Sequence, residues 1–222
     1  MITPAGAYYS TAPPSFRLAA RTSDFLLWRR TGPTLLRHPG EHGPTVGRIL
    51  RCLRPHGAAL RKRKGSAVIL PKPHELNQSE WPTQPRRAGQ SVTKTFHVPA
   101  GRWNVSLQYV SKTGLDLTAP GYRFTLPPNL SRFGTYWPAG TLSQPRSGPL
   151  TINVLTRPGN KLARALQAPQ STIALNSPDS APVGRLVLTR AAARPRVVPF
   201  PAACGRYLDW YHLGGRVTLH GS

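Results

Sequence analysis

VPAGRWNVSLQYVS, residues 98–111, reads with a period of two. Trp103, Val105, Leu107 and Tyr109 fall on one side of a strand, and Arg102, Asn104, Ser106 and Gln108 fall on the other. That pattern belongs to a half-buried strand, with Trp103 packed in a core. The preceding run, SVTKTFHV, alternates in the same way, with Val92, Phe96 and Val98 on one face. Pro-Ala-Gly lies between the two runs, so the stretch predicts the corner of a β-hairpin.

Outward from this corner the rhythm continues. Strands are expected at 91–98, 102–110, 114–118, 122–126, 149–156, 183–189 and 196–200, with PAG, SKTG, APG, PPN and RPGN supplying turns. Short strands with this punctuation predict an all-β chain folded as an antiparallel β-sandwich or jelly roll. Toward the N-terminus, residues 15–30 read as two strands around Thr22-Ser23-Asp24, and SAVIL at 66–70 reads as another. Ile49, Leu50 and Leu53 keep helical spacing until Pro55 stops them. A short helix is expected at 160–167, with Asn160 as its N-cap. The organisation expected is an irregular basic N-terminal segment (1–70), a Pro-rich linker (71–90) and a sandwich domain (91–211).

The chain of 222 residues is long enough to bury a core, and its 25 prolines and 20 glycines favour short elements. Its formal charge of +23 points toward a polyanionic partner. The excess is spread evenly, with 15 basic and 4 acidic residues in 1–90 against 15 and 3 in 91–222. A nucleic-acid footprint concentrates its charge, so the distribution argues against nucleic acid. The one dense run is RILRCLRPHGAALRKRKG, with Arg48, Arg51, Arg54, Arg61, Lys62, Arg63 and Lys64. It reads as a solvated turn or short helix, and alternatively as a contact for acidic lipid or another polyanion. No apolar run reaches the ~20 residues that span a bilayer, and the start lacks a signal-peptide pattern, so the chain as written is expected to be cytoplasmic.

Little in the sequence supports catalysis. The seven acids, Asp24, Glu41, Glu75, Glu80, Asp116, Asp179 and Asp209, are scattered and fall mostly in expected loops. G-x-S-x-G, P-loop, G-x-G-x-x-G and H-E-x-x-H patterns are missing, and the seven histidines lack metal-ligand spacing. A zinc site from Cys52, His56, Cys204 and His212 would space its ligands far more widely than usual. No enzyme activity, metal or cofactor is expected. Cys52 and Cys204 read either as a disulfide in an oxidising compartment or as two unrelated buried thiols.

The segment LPPNLSRFGTYWPAGTL, residues 126–142, sets Phe133, Tyr136 and Trp137 among Pro, Gly and Asn, which predicts irregular backbone. Aromatic rings beside amides and guanidinium groups suit a sugar: the apolar pyranose face stacks while polar groups bond its hydroxyls. The candidates are Tyr136 and Trp137 for stacking, with Asn129, Arg132 and Gln108 as polar contacts. The competing reading has Tyr136 and Trp137 capping one end of the sandwich.

ITPAGAYYSTAPPSFRLAARTSDFLLWRRTGPT, VPAGRWNVSLQYVS, LPPNLSRFGTYWPAGTL, GRLVLTR and ACGRYLDWY occur in that order over residues 2–211. In this order they resemble the C-terminal extracytoplasmic portion of large multi-pass, glycosyltransferase-like membrane proteins of actinobacteria. The resemblance implies a carbohydrate-binding-module-like sandwich at the extracytoplasmic face of the cell membrane. It further implies a Cys52–Cys204 disulfide and, as partner, either a cell-wall glycan or the membrane half of a parent protein from which this piece is detached. The tail 212–222 falls outside the likeness and is expected to be disordered.

Overall fold

Strands β8 (Ser91–Val98) and β9 (Gly101–Tyr109) form where the alternation puts them, yet they are not a hairpin. In the computed structural model they belong to opposite sheets, and Pro99-Ala100 arches from one sheet to the other. The apolar rows of the two strands therefore face each other across a core instead of lying side by side. The structure describes residues 1–4, 8, 10–22, 25–34, 36–39, 47–76, 89–130, 136–158 and 181–214. The expected helix at 160–167 lies outside them, as does Arg132.

Two compact units divide the chain, His74–Ala191 and the combination of Met1–Pro73 with Ala192–Ser222. Among the described residues the first holds eight strands: β7 (His74–Leu76), β8, β9, β10 (Leu115–Ala119), β11 (Tyr122–Leu126), β12 (Trp137–Gln144), β13 (Gly148–Thr156) and β14 (Val183–Arg190). One four-stranded sheet runs β11-β10-β13-β8 and the other β12-β9-β14-β7, all pairs being antiparallel. The order follows from one long ribbon folded at the β10–β11 turn. Its two arms pair as β9 with β12, β8 with β13 and β7 with β14, and rolling the ribbon adds β9–β14 and β10–β13. This is the topology of a jelly-roll β-sandwich. Trp103, Val105, Leu107 and Tyr109 meet Val92, Phe96, Leu115, Leu117, Ile152 and Val154 in one core shared by both sheets.

From Trp137 on, β12 corrects the expectation of irregular backbone over 126–142; residues 127–130 are irregular as expected, and 131–135, with Phe133, lie outside the described residues. Pro138 is tolerated because β12 is an edge strand and needs no donor on its open side. A bulge follows between Pro138 and Thr141, where Gly140 has φ +78° and a Cβ would lie 2.6 Å from the Phe124 ring. Only glycine fits there.

The expected partition into 1–70 and 91–211 also gives way, because the last strands return to the N-terminal segment. β6 (Gly65–Leu70) lies between β15 (Arg196–Pro199) and β16 (Tyr207–Leu213), with β4 (His38–Pro39) and β5 (Arg48–Ile49) on the far side of β16. Part of the expected linker is β7, and His212 and Leu213 of the expected tail continue β16. A separate sheet pairs β1 (Ile2–Pro4), β3 (Phe25–Arg30) and β2 (Phe16–Arg21).

Helices α1 (Pro55–Arg61) and α2 (Phe200–Ala203) cover one face of the β6 sheet. Pro55 opens α1 instead of stopping a helix, since a proline at the first helical position gives up a donor that would be unpaired anyway. Leu50, Leu60, Ala67, Ile69, Phe200, Ala203, Leu208 and Tyr211 pack together on this side. The Cys52–Cys204 disulfide, with Cα atoms 5.5 Å apart, ties the approach to α1 to the end of α2. No helix among the described residues is long and apolar enough to cross a membrane.

Candidate functional site

The inward row of each strand fixes what the outward row presents. In the β11-β10-β13-β8 sheet, Val92, Phe96, Leu115, Leu117, Leu150, Ile152 and Val154 turn to the core. Their neighbours form the opposite face, and the register lines them up in rows across the strands. Ser91, Leu155, Asp116 and Thr125 make one row; Thr93, Asn153, Thr118 and Arg123 make the next; Thr95 with Thr151 and His97 with Pro149 complete it. All of these side chains are exposed or half-exposed.

Neighbouring members bond one another. The Thr93 hydroxyl donates to Asn153 Oδ1 at 2.9 Å, the Thr95 and Thr151 hydroxyls lie 2.8 Å apart, and Thr125 donates to Asp116 Oδ1 at 2.7 Å. Arg157 sits 3.8 Å from the same Asp116 oxygen. A hydroxyl carries one donor and two acceptor sites, so a single internal bond orients it and leaves capacity for a ligand. The face is thus a pre-ordered array of neutral donors and acceptors, flanked by one carboxylate and two guanidinium groups. Such an array matches a polyhydroxylated partner. The signal for it lay in the same two-residue rhythm, in the polar positions of SVTKTFHV and TIN.

The residues singled out from the sequence lie elsewhere in this unit. Tyr136 is only 1% exposed, and burial pushes its phenol up to about 12 against the lowering influence of Arg185, so it offers no stacking face. Asn129 is buried, pairs through its backbone with Ser111, and donates from Nδ2 to the Tyr109 carbonyl at 2.6 Å. It pins the 127–130 segment to the end of β9. Gln108 lies opposite the bulge between Val183 and Leu186, and its Oε1 accepts from the Arg185 amide at 3.4 Å. It completes a donor that the bulge takes out of the ladder. Trp137 is half-buried, packs against the core, and meets Tyr109 edge-on with ring centres 6.5 Å apart. Among the described residues the expected sugar platform is not assembled: Tyr136 is buried, Trp137 is half-buried against the core, and the two amides serve backbone groups.

In the other unit, the cations at 48–64 are exposed except for Arg48, which is half-buried and lies 3.0 Å from His56 Nε2 through its guanidinium. The two sulfurs that a zinc site would have used are joined. Among the described residues no three His, Cys, Asp or Glu side chains converge as metal ligands.

Asp209 is the extra residue of a bulge in β16, between Leu208 and Trp210. The bulge turns Leu208 and Tyr211 to the helices and Trp210 to the opposite side. The Asp209 carboxylate accepts from the Thr11 amide at 2.8 Å and the Thr11 hydroxyl at 2.7 Å, while Trp210 Nε1 donates to that hydroxyl at 2.7 Å. Burial pushes the Asp209 carboxyl above the usual range, opposed by Thr11 and by the Arg37 guanidinium. The folded state thus holds this proton at a pH where the unfolded chain has released it. Its contribution to stability is present below the unfolded carboxylate pKa and is lost as pH rises through the higher folded value. Denaturant midpoints followed upward from below the ordinary carboxylate pKa should fall across that window in the native chain. The fall should shrink in Asp209→Asn, which keeps an acceptor for Thr11.

No protein-family model and no curated protein matches the sequence. Among solved structures, the chain is similar to the GH26-CBM35 β-(1,4)-mannanase of Podospora anserina, at 14% identity and a TM-score of 0.32. The likeness covers 60% of this chain and 29% of the mannanase, so the chain spans less than a third of that protein's length. Strand order and register alone make the His74–Ala191 unit a jelly roll.

Proposed function

We propose that this chain is a non-catalytic β-sandwich of the cell envelope that binds and positions glycans through the outer face of its β11-β10-β13-β8 sheet. The observation that carries this reading is the register itself, which gathers Thr93, Thr95, Thr151, Asn153, Asp116 and Thr125 on one open surface with their side chains bonded in pairs. Sugar hydroxyls present the same mixture of donors and acceptors, and a sheet face admits an extended chain without a pocket. The Cys52–Cys204 disulfide supports an oxidising, extracytoplasmic setting. By the resemblance drawn from the sequence, the glycan is held for the membrane half of a parent protein.

The test is retention on immobilised arabinan, galactan and mannan by affinity electrophoresis, with Thr95→Arg/Thr151→Arg as the blocked face. Both threonines are exposed, so the thermal midpoint should stay where it was. Retention on at least one glycan should drop more than tenfold, about 1.4 kcal/mol. If the native chain is retained by none of them, or the arginines change nothing, the reading fails.

A further inference from the structure

We propose that the disulfide-linked unit docks on an anionic phospholipid bilayer, with Leu53 as the inserted anchor and the surrounding cations holding the headgroups. Leu53 is 98% exposed, the most open of the large apolar side chains among the described residues. It stands at the tip of a turn closed by the Arg54 amide donating to the Arg51 carbonyl at 3.0 Å. Three features stiffen this turn. Cys52 beside it is bonded to Cys204, α1 begins directly after it, and Gly57 lets the Arg51 carbonyl press against the helix where a Cβ would come within 2.2 Å. The apolar tip is therefore already held outward, and insertion requires no further ordering of the chain.

Cations are dense in the chain on both sides of the tip. Arg51 and Arg54 flank Leu53, and Arg61, Lys62, Arg63 and Lys64 follow at the end of α1, all exposed. Ile49 adds a second exposed apolar side chain between Arg48 and Arg51. The only carboxylate side chain among the described residues of this unit is Asp209, which is fully buried. Nothing acidic on this described surface offsets the cations. An exposed leucine on a rigid turn adds nothing to contact with a nucleic-acid backbone, whose phosphates are met by charge alone. At a bilayer the same leucine enters the acyl boundary while arginines pair with phosphates. The chemistry thus favours lipid over nucleic acid, and it concerns a surface separate from the sheet face proposed to hold glycan.

The test uses the full, disulfide-intact chain sedimented with vesicles of phosphatidylcholine, with and without phosphatidylglycerol, at low and moderate salt. Binding is expected to the anionic vesicles only and to weaken with salt. Leu53→Ser should lower partitioning roughly tenfold, in line with the transfer of one leucine side chain from water. Leu53→Trp should tighten it several-fold, since indole prefers the interface. Arg63→Ala/Lys64→Ala should weaken binding roughly twenty-five-fold, at about fivefold per charge. Because Leu53 is open to solvent, its variants should keep the native thermal midpoint. Failure to bind anionic vesicles overturns the proposal, and so does binding that Leu53→Ser leaves unchanged. Binding to duplex DNA in place of vesicles would assign the basic surface to nucleic acid and overturn it as well. Neither result bears on glycan retention.

Discussion

Trp103→Ala should destabilise the sandwich by about 3–5 kcal/mol, the range for removing a large aromatic side chain from a core. Trp103 is 3% exposed, on a strand paired on both sides. Its Nε1 donates to the Pro99 carbonyl at 2.9 Å, so the indole bonds the arch that carries the chain from one sheet to the other. Arg190 lies over the ring, 4.2 Å from its centre, and donates to the Ala100 carbonyl at 2.9 Å. The substitution therefore removes core volume, strips a carbonyl of its donor and takes away the platform under Arg190. Domains of this size are commonly stable by about 5–15 kcal/mol, so the loss is a large share of the total. Amide exchange read along β9 and β14 would report it as a collapse of protection in this unit. Trp103→Phe, which refills most of the volume but cannot bond Pro99, should cost less. Undiminished protection in Trp103→Ala would mean that the indole is not sealed from water.

The same residue shows what a sequence can and cannot say. Alternation revealed that Trp103, Val105, Leu107 and Tyr109 share a face, because the pleat imposes that on any strand. It did not reveal which strand lies alongside. β8 and β9 are adjacent in sequence and predict a hairpin, yet each pairs with strands from the second arm of the ribbon. A bulge hides some of the strands it interrupts, although β2 and β14 stay legible despite theirs. β12 is interrupted at Gly140 and β16 at Asp209, and neither was legible as a strand. The unit boundary was hidden for another reason: β6 finds its partners more than a hundred residues later, through contacts that no local pattern encodes.

At the candidate site the sequence pattern makes the aromatic positions conspicuous and leaves the polar row without a partner. Tyr136 and Trp137 drew notice as aromatics among turn residues, but burial is decided by what packs over them. The threonines of β8 and β13 were visible in the rhythm as the polar half. Their meaning depended on register, which sets Thr95 against Thr151 and Thr93 against Asn153.

Breaking the disulfide should cost the second unit about 4 kcal/mol while leaving the sandwich nearly untouched. The bond joins positions 152 apart, and closing a free loop of that length would constrain the unfolded chain by about 5 kcal/mol. The loop is not free, however. The sandwich lies within it, and β7 and β14, near the sandwich's two ends, are paired neighbours with Glu75 opposite Val187. When the disulfide-linked unit unfolds alone, the folded sandwich already short-circuits its own length. What remains to be closed is residues 52–73 and 192–204, roughly 35 positions, for which the same chain-entropy relation gives about 4 kcal/mol. Removing both sulfurs as Cys52→Ala/Cys204→Ala should therefore release the β6 and β16 amides to exchange by that amount, whereas amides of β9 and β14 keep their protection. Equal loss in both units would show that they unfold together, and the full loop would then set the cost. No loss in β6 and β16 would mean that the contacts of Leu50, Leu60 and Phe200 hold this unit without the covalent tie.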